Sequence, residues 1–240
     1  MKSRRIIGSL IATALASASL AVVTTAAPAT AVDTVPTRIV SGSDNRGVIS
    51  SSYKPLRYGD SISLSVNVEA FINGAWKEIY NGPVAVTRQV AGQKSAAVVA
   101  QTTSEAYLYA STPARGRARY VVYYGGGTGG YPAVNYAPSS AAYAVKSVQR
   151  KLTITPKSSR KKLGLAGKIA PKGKNRVIVL KKVGKKWKKY KGLRTTSRGT
   201  FFARLPAPAK RGKKILWKLV IPGSGPFART SSGVYYTTKY

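Results

Sequence analysis

Between residues 181 and 191 the chain runs Lys-Lys-Val-Gly-Lys-Lys-Trp-Lys-Lys-Tyr-Lys, placing seven ammonium groups at Lys181, Lys182, Lys185, Lys186, Lys188, Lys189 and Lys191. Lysine is a compact, strongly hydrated point charge, better suited to general attraction of a polyanion than to bidentate reading of phosphates or bases. Trp187 and Tyr190 stand among these cations, and such interleaving lets a polymer's sugars or bases stack while its charges are neutralised. Arg211, Lys213 and Lys214, just before a predicted strand, extend the same patch. If Val183-Gly184-Lys185 turns a hairpin, two adjacent strands carry the seven lysines over a few tens of ångströms at most. The plainer alternative is a solvated sheet edge whose lysines block strand-to-strand aggregation. The absence of any carboxylate from residues 147–240 favours a negatively charged partner, because self-repulsion there has no internal relief.

A second segment with binding chemistry is Tyr123-Tyr124-Gly125-Gly126-Gly127-Thr128-Gly129-Gly130-Tyr131. Tyrosines on a glycine-rich connection make adaptable contacts to sugars or proteins, so Tyr123, Tyr124 and Tyr131 are candidate contact residues. A bland reading, a connection with incidental tyrosines, has equal standing. No Gly-Lys-Ser/Thr follows, so the segment is not a phosphate-cradling loop.

Catalytic chemistry finds little material. The 240 residues include no His and no Cys, which removes thiol nucleophiles, imidazole bases and the usual zinc, haem and iron–sulfur ligands. Six carboxylates leave little for paired-acid catalysis, and Asp44 alone in residues 41–47 cannot form a calcium loop. Ser51-x-x-Lys54 and Ser158-x-x-Lys161 match a Ser-Lys nucleophile spacing, but neither opens a helix, and in so lysine-rich a chain such spacings arise by accident. The expectation is a non-enzyme without cofactor or metal.

The elements that must position these residues are strands. Leu163, Leu165, Gly167 and Ile169 alternate with Gly164, Ala166 and Lys168, and Ile215, Trp217, Leu219 and Ile221 alternate with Leu216, Lys218 and Val220. Period-two alternation marks strands with one face on a core, and it makes Trp217 a core residue. Similar patterns predict strands at 62–68, 84–89, 96–102, 106–110, 118–124, 141–145, 151–155, 176–182, 186–193, 201–205 and 234–240. No stretch after residue 31 keeps a helical period, so the chain is predicted to be all-β. An internal repeat supports two units: Val84–Ala114 aligns with Val177–Ala207 at a constant offset of 93, with 9 identities in 31 positions.

Charge divides the chain in the same place. Residues 32–146 hold 11 basic and 6 acidic groups, whereas 147–240 hold 27 basic and none acidic. Ahead of both, Lys2, Arg4 and Arg5 precede a moderately apolar run and the small residues Ala29-Thr30-Ala31, which predicts a signal peptide over 1–31. The predicted organisation is a first sandwich domain at 32–146 and a lysine-rich second one at 147–240, exported and free of disulfides.

The second unit carries Gly-Lys-Ile-Ala-Pro at 167–171, Val-Ile-Val-Leu at 177–180, Gly-Lys-Lys-Trp-Lys at 184–188 and Ser-Arg-Gly-Thr-Phe at 197–201. With its final Tyr/Thr strand, it resembles the bacterial Ig-like domains of secreted actinobacterial proteins. The resemblance covers about ninety residues and extends more weakly to the first unit. There Lys94 occupies the position of Trp187, and the one Trp-Lys pair, Trp76-Lys77, lies earlier. It implies tandem Ig-like β-sandwiches acting as a surface or secreted accessory module, wall-associated in a Gram-positive bacterium. Export places anionic cell-wall and extracellular polymers nearest: teichoic acids, acidic polysaccharides and anionic lipid headgroups, with nucleic acid bound only non-specifically. Two alternatives stand beside this adhesive role. One is a cationic effector acting on membranes through Trp187 and Trp217; the other is a protein-binding scaffold using the Tyr/Gly segment.

Overall fold

A computed structural model describes residues 33–42, 46–130, 132–158 and 163–239. The predicted signal segment, Asp44, Tyr131 and Lys161 lie outside the described residues. Every regular element among the described residues is a β-strand. In chain order these begin with β1 (Thr34–Val35), β2 (Thr37–Ser41), β3 (Ile49–Ser50), β4 (Ser61–Ile72), β5 (Ala75–Ile79) and β6 (Val84–Val90). Next come β7 (Ala97–Gln101), β8 (Tyr107–Pro113), β9 (Ala118–Tyr124), β10 (Gly127–Gly129), β11 (Val134–Tyr136) and β12 (Ser139–Val145). The C-terminal half holds β13 (Lys151–Ser158), β14 (Leu163–Ala170), β15 (Arg176–Val183), β16 (Lys186–Arg194), β17 (Thr200–Arg204), β18 (Lys214–Ile221) and β19 (Thr230–Thr238).

The C-terminal half forms two antiparallel sheets, ordered β13-β14-β17 and β16-β15-β18-β19. Alternation buries one row from each sheet. Leu165, Ile169, Phe201 and Ala203 form one side of the core, and Val177, Val179, Trp217, Leu219 and Ile221 form the other. Trp217 is fully buried, and its indole N–H donates to Thr237 Oγ1 at 2.9 Å. Two motifs of the Ig-like resemblance are explained by packing: the Phe201 ring lies over Gly167, where a Cβ would collide with it.

The N-terminal half repeats this order. Its four-stranded sheet is β7-β6-β9-β12, and β2, β4 and β8 pair as β13, β14 and β17 do. The offset of 93 therefore lays β6 on β15 and β8 on β17, so the sequence repeat is also a repeat of strand order. Ile62, Leu64, Val66, Val68 and Ala70 of β4 face Val84, Val86, Tyr120 and Val122 across the core. The twelve residues of β4 outrun a single partner. Along one edge it pairs with β2 and β3, and along the other with β5 and β8. The extra strand β5 follows an Asn73-Gly74 turn with φ of 53° and 77°, the left-handed pair that a type I′ hairpin requires. This added hairpin carries Trp76-Lys77 and accounts for its being out of step with Trp187.

The boundary near residue 146 is crossed by packing. Val148 and Phe227, the latter from the turn between β18 and β19, are buried in the N-terminal core cluster. Phe227 meets the Tyr58 ring edge-on at 6.0 Å. Backbone bonds fix the crossing: Gln149 N–H donates to Leu56 O, Tyr58 N–H to Gln149 O, and Arg117 N–H to Pro226 O. Arg150 lies beneath this turn, 4.6 Å from the Phe227 ring, with Nη2 donating to Ser224 Oγ at 2.7 Å. Burial holds its pKa below the ordinary arginine value.

Candidate functional site

The lysine run does form a hairpin. Gly184, at φ 56°, and Lys185 make a two-residue turn that closes Val183 on Lys186. A positive φ at the first central position is glycine's role in a type II′ turn, whose twist matches the strands. From there the register sets Lys182 opposite Trp187, Lys181 opposite Lys188 and Leu180 opposite Lys189. Because side chains alternate, the lysines do not share one face. Lys181 and Lys188 follow the parity of the core residues Val177 and Val179, whereas Lys182, Trp187 and Lys189 occupy the outer face. Val183, on the core parity, is 46% exposed, so the hairpin tip projects past the core.

A bulge between Val179 and Leu180 leaves Tyr190 without an opposite residue. Its ring turns onto Trp217, edge-on at a centroid distance of 5.0 Å, and its remaining surface is exposed. Trp187 is half-buried, while Lys182, Lys185, Lys186, Lys188, Lys189 and Lys191 are exposed. Lys181 is half-buried beside Trp217, its partner on β18. Since β18 runs antiparallel to β15, its first residue, Lys214, points toward the hairpin tip. The exposed Arg211, Lys213 and Lys214 thereby join the same end of the sheet. Lys214 Nζ sits 5.2 Å from the Tyr236 ring centroid.

Two further cations escaped sequence reasoning. Arg176 and Arg194 lie directly opposite at the base of the hairpin, both exposed, and the surface over the neighbouring Gly192 is open. Counting outward from Gly184-Lys185 puts them one position out of register, and only the bulge brings them together. The hairpin thus carries two like-charged cross-strand pairs, Arg176/Arg194 and Lys181/Lys188. Such pairs are destabilising by some tenths of a kcal/mol each, and this half has no carboxylate to offset them.

The Tyr/Gly segment is built differently from an adaptable loop. Gly127–Gly129 forms β10, paired antiparallel to β11, which in turn pairs parallel with β1. Tyr124 is not a contact residue: it is 2% exposed, its hydroxyl donates to Asn81 O at 2.6 Å, and burial pushes its pKa up to about 12. Alternation along β9 places it inward with Tyr120 and Val122. Tyr123, one residue earlier, is exposed on the outer face, and Tyr131 lies outside the described residues. Ser51 acts as a turn residue, its hydroxyl donating to Ser61 O and accepting from Tyr53 N–H. No known protein family and no curated protein matches this chain in sequence.

Proposed function

We propose that the protein is a secreted, non-catalytic binding protein whose signal segment is residues 1–31 and whose domains are 32–146 and 147–240. The second domain holds anionic envelope polymers, teichoic acids or acidic polysaccharides, through the hairpin of β15 and β16. The observation that carries this reading is the pairing of Arg176 with Arg194 and of Lys181 with Lys188 in a half without carboxylates. A flexible polyanion wrapping the projecting tip reaches lysines on both faces and relieves repulsion that the fold leaves uncompensated. Arg211, Lys213 and Lys214 widen the contact at that end, and Trp187 offers a ring among the charges. Burial of Trp217 leaves Trp187 as the one tryptophan of the hairpin region free to meet a surface, which weighs against a membrane-active role.

The test is retention on immobilised poly(glycerol phosphate) across a salt gradient, against a neutral polymer as control. Substitution of Lys185, Lys186, Lys188 and Lys189 by Gln is expected to lower the eluting salt and flatten the salt dependence, since each neutralised contact removes about 0.7–0.9 from the log–log slope. Equal, salt-independent retention of both proteins would overturn the proposal.

A further inference from the structure

The outer face of the sheet around β4 gathers five exposed aromatic rings: Phe71, Trp76, Tyr80, Tyr107 and Tyr109, from 37% to 65% exposed. They sit in an ordered polar frame. Tyr109 Oη donates to Asn67 Oδ1 at 3.1 Å, and Asn67 Nδ2 donates to Glu78 Oε1 at 2.9 Å. Tyr80 Oη lies 3.5 Å from Glu78 Oε2. Gly42 leaves room for the Tyr109 ring, where a Cβ would collide with it. At the far end Arg38 caps Trp76 at 4.3 Å and pairs with Glu69 at 2.6 Å. Exposed tyrosines held in this way contribute little to the core, yet their ring faces are oriented before any ligand arrives.

Charge decides the kind of ligand. Glu69 and Glu78 stand opposite each other across β4 and β5, so two of the chain's six carboxylates share this face, with Arg38 as the near cation. A polyanion drawn to the lysine hairpin is repelled here. What fits is an uncharged ligand with hydroxyls to donate to Glu78 and apolar C–H faces to lie on tyrosine rings. Those are the properties of a sugar. Along β4, Trp76 stands opposite Phe71, Tyr107 opposite Asn67 and Tyr109 opposite Ser65. At about 3.3 Å per residue the aromatic row spans roughly 13–20 Å, the length of an oligosaccharide rather than a single ring.

We propose that this face is a binding site for a neutral polysaccharide chain, centred on Asn67, Glu78, Tyr80, Tyr107 and Tyr109. It is separate from the lysine hairpin and does not depend on the function assigned there. Isothermal titration of the full chain with cellohexaose, chitohexaose, maltohexaose and mannohexaose, in about 0.5 M NaCl to screen charge effects, tests it. At least one hexasaccharide is expected to bind. Tyr107→Ser and Tyr109→Ser should each weaken that binding about tenfold, while the four hairpin lysine-to-Gln substitutions leave it unchanged. Tyr80→Ser, at the most exposed position, and circular dichroism of every variant separate loss of contact from loss of fold. The proposal is overturned if no hexasaccharide binds, if the tyrosine variants bind like wild type, or if salt abolishes binding. It is equally overturned if sedimentation shows a self-associated protein that Tyr109→Ser makes monomeric, since the face would then belong to a second copy.

Discussion

Reversing one charge in the hairpin should raise stability and lower polyanion affinity together. Lys188 lies opposite Lys181 on the core-parity side of β15 and β16. Two ammonium groups about 7 Å apart in water repel by about 0.6 kcal/mol, and a carboxylate in place of one attracts by a similar amount. The reversal is therefore worth about 1 kcal/mol before screening and roughly half that near 0.1 M salt. Lys188→Glu is expected to raise Tm by about 1–3 °C at low salt, with the gain shrinking as salt is added. Binding moves the other way. Seven hairpin lysines give a log–log salt slope near −5 on a single-stranded polyanion, and reversing one charge takes about 1.5 from it. Differential scanning calorimetry and titration with poly(glycerol phosphate) across a salt series read the two effects on the same protein. Misfolding would lower both quantities, so opposite signs are diagnostic. A lower Tm for Lys188→Glu at low salt, or an unchanged salt slope, would refute the reasoning.

Two further outcomes concern the scaffold. Phe227→Ala removes a ring buried in the N-terminal core from a turn of the C-terminal half, and should cost about 3 kcal/mol in urea denaturation; a change near zero would mean that the two halves are not joined there. Tyr124 has its pKa raised to about 12 in the folded protein against about 10 unfolded. Its contribution is thus complete below about pH 10 and is lost as pH climbs toward about 12, a fall of about 2–3 kcal/mol. Tyr124→Phe should make this alkaline limb of the stability curve shallower. Tyr120 and Tyr143, also raised by burial, keep part of it. An identical limb in the variant would show that Tyr124 does not titrate against burial.

The core strands β4, β6, β9, β14, β15, β17 and β18 were legible because each buries one row of a period-two pattern, and that signal is local. The strands β2 and β5, which bury little, were not among those predicted. Tyr124 obeys the same rule: Ala118, Tyr120, Val122 and Tyr124 form one inward row, which the glycines that follow obscure. Asn73-Gly74 likewise announces the added hairpin, which relocates Trp76-Lys77. Other features are not local. The pairing of Arg176 with Arg194 depends on a bulge at Tyr190, five residues beyond Lys185 of the turn, and nothing in the run of lysines marks it. Phe227 sits in a short turn among Gly, Ser and Pro, where an aromatic residue reads as surface. Its burial depends on Tyr58, distant in sequence and brought near by the return of the chain at Gln149. The aromatic face around β4 escaped for a related reason. Its rings come from three strands and align only through register, so no window of sequence contains them.

The distribution of charge separates what the fold needs from what it carries. In the C-terminal core, inward positions of β14, β15, β17 and β18 hold Leu165, Ile169, Val177, Val179, Phe201, Ala203, Trp217, Leu219 and Ile221, with no ionised group among them. The densest charge stands on a hairpin whose tip reaches beyond that core, where water and salt screen repulsion most strongly. This placement lets a core cluster of ten buried residues among those described, these nine and Leu205, fold the half despite 27 basic groups, each surface repulsion being small beside the burial of one such side chain, about 1.5–3 kcal/mol. It does not explain why the cations are there. A glutamate opposite Lys181 or Arg176 would fold at least as well, and alternating signs across a hairpin is the arrangement that stability alone favours. The lysines are tolerated by the fold and not required by it. Their physical consequence is a field that draws negative polymers to the end of the β15–β16 sheet, while the weld at Phe227 and Gln149 removes the free linker that would otherwise let this field swing relative to the aromatic face. If both proposed faces bind as argued, they act as a rigid spacer between two chemically different polymers, and avidity then depends on how those polymers are arranged and not on linker length.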